Sequence, residues 1–171
     1  EAGAGNGELA HGLRLALAPH GVDVAVAACD DGSWALPGRQ FGDGVEALSY
    51  RAALRAHRPH LVLCAWMPMG VDWTAGFRAC DSVGEYLLLG EAYDGACGEN
   101  WETWGNPAFA PHEGAAAADA RVPPHERDGW AAEEVVEVTR WMQSRFASHE
   151  GPECEMGSCA VAFRRGPVPE G

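Results

Sequence analysis

The sequence contains no lysine. All twelve basic residues are arginine, set against 25 Asp and Glu, for a formal net charge of −13. That balance argues against a nucleic-acid backbone as partner, which needs clustered cations. It suits an anionic membrane surface equally poorly. No apolar run approaches the ~20 residues of a membrane span, so no span is expected. The cysteines, Cys29, Cys64, Cys80, Cys97, Cys154 and Cys159, contain no C-x-x-C pair. They are read as reduced thiols of an intracellular protein, in the cytoplasm or an organelle. Cys154 and Cys159 flank a predicted turn, and pairing or metal binding there is the alternative. The histidines lack metal-ligand spacing, and no metal site is expected.

What is present is glycine, alanine and short strands. A length of 171 residues fits one domain, able to bury about 70% of its unfolded surface. The domain is placed over residues 1–165, with a Pro/Ala-rich surface loop at 106–128 and a Pro/Gly tail at 166–171. Leu9, Leu13 and Leu17 predict a helix over 8–18. Val22 to Cys29 predicts a buried strand ending at Asp30-Asp31. Val45 to Tyr50 turns from a short edge strand into a helix over 50–57. Leu61 to Ala65 gives the strongest strand signal, and 85–91 gives another. Residues 131–138 are expected as a short helix, because Glu133 and Glu134 lie in its first turns. Trp141 to Ala147 and Ser158 to Arg165 are expected as a terminal antiparallel hairpin.

The chain opens on Glu1-Ala2-Gly3-Ala4-Gly5-Asn6-Gly7-Glu8. Glycines at alternate positions let the backbone turn sharply and let a ligand approach the main chain. A Gly/Ala-rich terminus is the alternative. A dinucleotide fingerprint, G-x-G-x-x-G, would place its third glycine at position 8; Glu8 stands there instead. A carboxylate in the first helical turn suits the helix dipole but repels a pyrophosphate. S-adenosylmethionine carries a sulfonium cation and no phosphate, and suits an acidic loop better.

The loop resembles that of the class I S-adenosylmethionine-dependent methyltransferases, which has the form E-x-G-x-G-x-G. The segments 64–74 (CAWMPMGVDWT) and 90–105 (GEAYDGACGENWETWG), with Val161-Ala162-Phe163-Arg164-Arg165, are similar to those of methyltransferase-like proteins from plants and green algae. The similarity covers most of the chain apart from the Ala/Pro loop. It implies an α/β fold: a doubly wound, mostly parallel, Rossmann-like sheet with a C-terminal antiparallel β-hairpin. It also implies S-adenosyl-L-methionine as cofactor. Carried over, Glu1, Gly3, Gly5 and Gly7 line the methionine end of the pocket. Asp30 or Asp31 stands where such folds hold ribose hydroxyls, with a solvated turn acid as the alternative. Glu46 is a candidate for the adenine end, and Cys64 and Trp66 border the cofactor at the end of the fourth expected strand.

Methyl transfer requires orientation, a nucleophile and in some cases a base. Trp66, Pro68, Trp73, Trp101 and Trp104 are candidates for the acceptor side, where aromatic faces favour a cation; burial in a core is the alternative. Asp72, Glu91 and Asp94 are candidates for a base. The turn after the fourth strand lacks the Asn or Asp that the resemblance implies before Pro68, which puts N-methylation through that residue in doubt. Three functions remain open. The first is a methyltransferase acting on a small molecule or a protein. The second is a methyltransferase-like domain without catalysis, serving as an interaction or assembly subunit. The third, disfavoured by Glu8 and the hairpin, is a nicotinamide-dependent oxidoreductase. The strand expected before the glycine loop is missing from the sequence, so a longer protein, or a strand from another polypeptide, is expected to complete the sheet.

Overall fold

The computed structural model describes residues 1–21, 23–34, 42–92, 95–111, 122–142 and 158–166. It is a mixed α/β arrangement around an open, mostly parallel sheet. Helix α1, Glu8–Leu17, starts from Gly7, whose φ of 79° places it in the left-handed region. Its buried residue is Ala10, packed with Ala4 and Ala28. The leucine stripe is not what it buries; Leu9 is exposed and Leu13 and Leu17 are half-buried. Small side chains bring this helix close to the sheet.

Strands β1, Ala28–Cys29, and β2, Val45–Glu46, pair in parallel. Residues 23–27, expected in the same strand as Cys29, form no ladder. Helix α2, Tyr50–His57, begins at Ser49, whose Oγ accepts the Ala52 N–H, an N-cap that replaces a missing intrahelical partner. Strand β3, Leu61–Ala65, pairs in parallel with β4, Glu85–Glu91. Between them lies the short helix α3, Thr74–Arg78.

Glu1 and Ala2 join the two sheets. Cys29 N–H donates to Glu1 O at 3.0 Å, and Ala2 N–H donates to Leu63 O at 2.8 Å. The hydrogen-bonded order across the molecule is therefore β2, β1, residues 1–2, β3, β4.

Two expectations for the C-terminal region are corrected. Residues 130–134 form a strand, β5 (Trp130–Glu134), and only Val136–Thr139 (α5) is helical. Trp141 and Met142 lie outside any strand, and 143–147 lie outside the described residues. The antiparallel pair is real, but its members are β5 and β6, Ser158–Arg165, and β6 also pairs antiparallel with β4. Tertiary packing overrides the helical charge pattern here: Trp130 is buried against Tyr86, with ring centroids 5.2 Å apart. The expected loop 106–128 is structured at both ends. Pro107–Phe109 makes a 3-10 turn, and α4, Pro124–Arg127, buries Pro124 and His125.

The main core fills one face of the sheet. Tyr86 and Phe163 stack at 4.6 Å, Phe77 packs on Tyr86, and Val62, Cys64 and Leu88 complete the layer. Alternation along β3 and β4 sends these side chains to one side. The strand ends are thereby fixed, and the loops leaving them converge at one edge.

Candidate functional site

The glycine loop occupies the centre of that edge. Gly3, Gly5 and Gly7 have φ of 69°, 61° and 79°, which only glycine adopts at low cost. A Cβ on Gly3 would lie 2.9 Å from the Trp73 ring, and one on Gly7 would lie 2.5 Å from Val45. Asp30 fixes the loop from below. Its Oδ2 accepts the Gly5 N–H at 2.9 Å and its Oδ1 accepts the Gly32 N–H at 2.8 Å. This buried acid thus holds backbone. Asp31 beside it is exposed and accepts the Ser33 N–H at 2.9 Å. Hydrogen bonds from Ser33 hold its carboxyl below the usual range. Glu46, also exposed, meets His57 Nε2 at 2.9 Å.

Glu1 stands where the loop leaves the sheet. Burial pushes its carboxyl above the ordinary range, against the opposing effects of the Ala10 N–H and Arg14. Its Oε2 is buried without a hydrogen-bond partner. Cys64 faces the main core, and burial pushes its thiol up.

The loops after β3 and β4 are bonded to each other. Trp66 has φ 58°, an outlier for a bulky residue, and donates its N–H to Leu89 O at 2.8 Å. Gly98 N–H donates to Met67 O at 3.1 Å, and Gly70 N–H donates to Gly98 O at 2.9 Å. Asp72 caps α3: Oδ1 accepts the Thr74 N–H, the Thr74 hydroxyl and the Thr103 hydroxyl, and Oδ2 accepts the Ala75 N–H. Trp104 Nε1 donates to Cys97 O at 2.7 Å, and Trp101 is buried. Trp73 stacks on Tyr50 at 5.2 Å, so it joins α2 to the glycine loop. Pro68 is half-buried beside Met67.

Glu91 ends β4 and is 1% exposed. Its Oε2 accepts the Ala96 N–H at 3.0 Å, while Oε1 is buried with no partner. Asn100 Oδ1, in the same loop, is likewise unsatisfied. Asp94 lies outside the described residues.

The structure therefore brings Glu1, Gly3, Gly5, Asp30, Trp66, Trp73 and Glu91 to one edge. It turns Cys64 into the core and uses Asp72 to cap a helix. Sequence reading missed Tyr50, Thr74 and Thr103. The Asp-x-Thr spacing at Asp72 and Thr74 is a cap signature that could have pointed to the second; Thr103 is distant in sequence and gave no signal.

Electrostatics unify this edge. Glu1, Asp30, Asp31, Glu46, Asp72, Glu91, Glu99 and Glu102 stand at the strand ends or in the loops following them, and the described residues of those loops include no arginine or histidine. Such a rim favours a cation and repels a phosphate. Among the described residues no group of three or more His, Cys, Asp or Glu side chains is placed to hold a metal ion. None of the described cysteines is in a disulfide, and no described helix is long and apolar enough to cross a membrane.

Comparison with protein-family models, with curated proteins and with solved structures finds no match to this chain.

Proposed function

We propose that the chain is a class I methyltransferase-type domain that binds S-adenosyl-L-methionine and delivers its methyl group to a small molecule or a protein. The observation that carries this reading is the acidic rim, whose described residues include no arginine, around a loop of three left-handed glycines. The strand order supports it. With residues 1–2 counted as the first strand, the order through β4 is 3-2-1-4-5, as in doubly wound sheets, and ligands bind such sheets at the C-terminal ends of the strands. The antiparallel strands β6 and β5 extend the open sheet beyond β4.

The residues fit the cofactor. Gly3 and Gly5 allow close approach to the main chain, and Asp30 holds that main chain in place. The buried Glu1 carboxyl and the acidic rim complement a sulfonium charge. Asp31 and Glu46 are the exposed acids for the ribose and adenine groups. When bound, the cofactor supplies an electrophilic methyl group. The chain's own part is to exclude water, with the Trp73 ring beside Gly3, and to orient the acceptor.

A second reading, a domain without catalysis that serves in an assembly, is favoured by one observation. The Asp72 carboxylate is filled by four hydrogen bonds, and no carboxamide stands at Trp66. A nicotinamide dinucleotide is disfavoured because Glu8 stands in the first turn of α1, where its pyrophosphate would bind.

Calorimetric titration with S-adenosylmethionine, S-adenosylhomocysteine and NADH separates the three. Binding of the first two and not of NADH is expected. Binding of neither sulfur compound would overturn the proposal. Gly5→Arg is expected to abolish binding while the far-ultraviolet circular dichroism stays native, because Gly5 is buried where the loop turns. Normal binding by that variant would move the site elsewhere.

A further inference from the structure

We infer that Glu91 binds and deprotonates the methyl acceptor, and that the acceptor is a protonated amine; this rests on the cofactor reading above. Glu91 is the most deeply buried carboxylate at the strand ends, 1% exposed. One oxygen is satisfied by Ala96 N–H, and the other has neither a protein partner nor access to water. Leaving a buried acceptor unmade is costly, and more so when it is charged. A ligand N–H would satisfy it.

The surroundings select the charge of that ligand. Asn100 Oδ1, in the loop that covers Glu91, is a second buried acceptor without a donor. The described residues of the loops after β3 and β4 include no arginine or histidine before Gly105 other than Arg78, which is tied to Asp128, Thr74 and Tyr86. No free cationic donor stands among the described residues of those loops. Glu91 also stands one strand away from Trp66, whose N–H bonds Leu89 O. It thus lies beside the turn that approaches the glycine loop through Trp73. Gly95 packs directly on the Glu91 Cβ, so the amine reaches Oε1 by displacing the 95–98 turn.

The step balances. One N–H proton of the ammonium passes to Glu91 Oε1, leaving a lone pair on nitrogen. That pair forms the N–CH3 bond as the S–CH3 bond breaks, and the sulfur keeps the bonding pair as a neutral thioether. The product is a secondary ammonium, and Glu91 returns its proton to solvent.

The test titrates the protein with n-butylammonium, n-butylguanidinium and n-butanol, with and without saturating S-adenosylhomocysteine, and follows the thermal midpoint. The ammonium is expected to raise the midpoint and the alcohol to leave it unchanged. Glu91→Gln is expected to weaken ammonium binding about tenfold or more, the loss of one charge-assisted hydrogen bond. It should also abolish methylamine formation from S-adenosylmethionine. Equal stabilisation by the alcohol, no stabilisation by the ammonium, or unchanged ammonium affinity in Glu91→Gln would overturn the inference. Stabilisation by the guanidinium alone would overturn the amine assignment. Failure of S-adenosylhomocysteine to bind, with ammonium binding intact, would instead remove the cofactor reading and leave Glu91 as an amine site.

Discussion

The two ends of the sheet handle charge in opposite ways. At the end where the parallel strands start, cations are tied into the fold. Arg78 Nε donates to Asp128 at 2.6 Å, and its Nη1 donates to the Thr74 hydroxyl at 2.7 Å. Arg164 bridges Glu85 and Glu133. Arg165 donates to the carbonyls of Arg78, Cys80 and Val83, and its guanidinium lies 4.9 Å from the Trp130 ring centroid. At the other end, Glu1 and Glu91 each keep a buried oxygen without a partner, and Trp66 sits at a positive φ. The first end uses its arginines to build the structure, though His125 Nδ1 there is also buried without a partner and Arg58 has φ 44°. The second leaves carboxylate oxygens unmet, a feature found where proteins act on ligands.

Substitutions can break this contrast. The largest effect is expected at the paired end. Arg78→Met should destabilise the protein by about 2–3 kcal/mol in urea unfolding, since it removes the buried donor to the Thr74 and Tyr86 hydroxyls and the charged partner of Asp128. The figure is held to that range because Asp128 is half exposed and stays solvated. At the rim, Asp30→Ala should cost about 1–2 kcal/mol, because the Gly5 and Gly32 N–H groups lose their acceptor. The same variant should lose S-adenosylhomocysteine binding, which calorimetry would show.

A pH effect is expected at the paired end. His125 is buried against Phe163, and desolvation lowers its pKa below 6.5. The unfolded chain therefore takes up this proton before the folded one does. Stability should fall as pH drops from about 6.5 toward the lowered folded value, and level off below it. His125→Phe should flatten that part of the profile of thermal midpoint against pH; an unchanged slope would locate the titration elsewhere. The smallest effect on stability is expected at Glu91. Glu91→Gln should leave it unchanged or raise it by up to about 1 kcal/mol, because Oε1 makes no hydrogen bond to lose and the remaining amide oxygen can still accept the Ala96 N–H. A loss like that of Arg78→Met would make Glu91 a structural residue and erase the difference between the two ends.

The parts legible in the sequence were local. Strands β3 and β4 and helix α2 lie where the sequence pattern places them, because their patterns match the periods of the elements. The glycine loop was legible because its conformation needs glycine. The Trp130–Glu134 strand was not, since its charges fit a helix start and only the pairing with 158–165 and the burial of Trp130 decide against one. Asp30 and Asp72 were legible as acids near strand ends. Their partners, Gly5 and Thr103, lie 25 and 31 residues away along the chain.

By itself the sequence determined the composition of the rim: acids and glycines, and no lysine. Side-chain chemistry is carried by residue identity. Only the tertiary structure decided which of those acids are consumed and which are left. Asp30 and Asp72 became caps because the backbone N–H groups and hydroxyls of other segments came to them. Glu1 and Glu91 kept an oxygen unsatisfied because packing buried them where no donor followed.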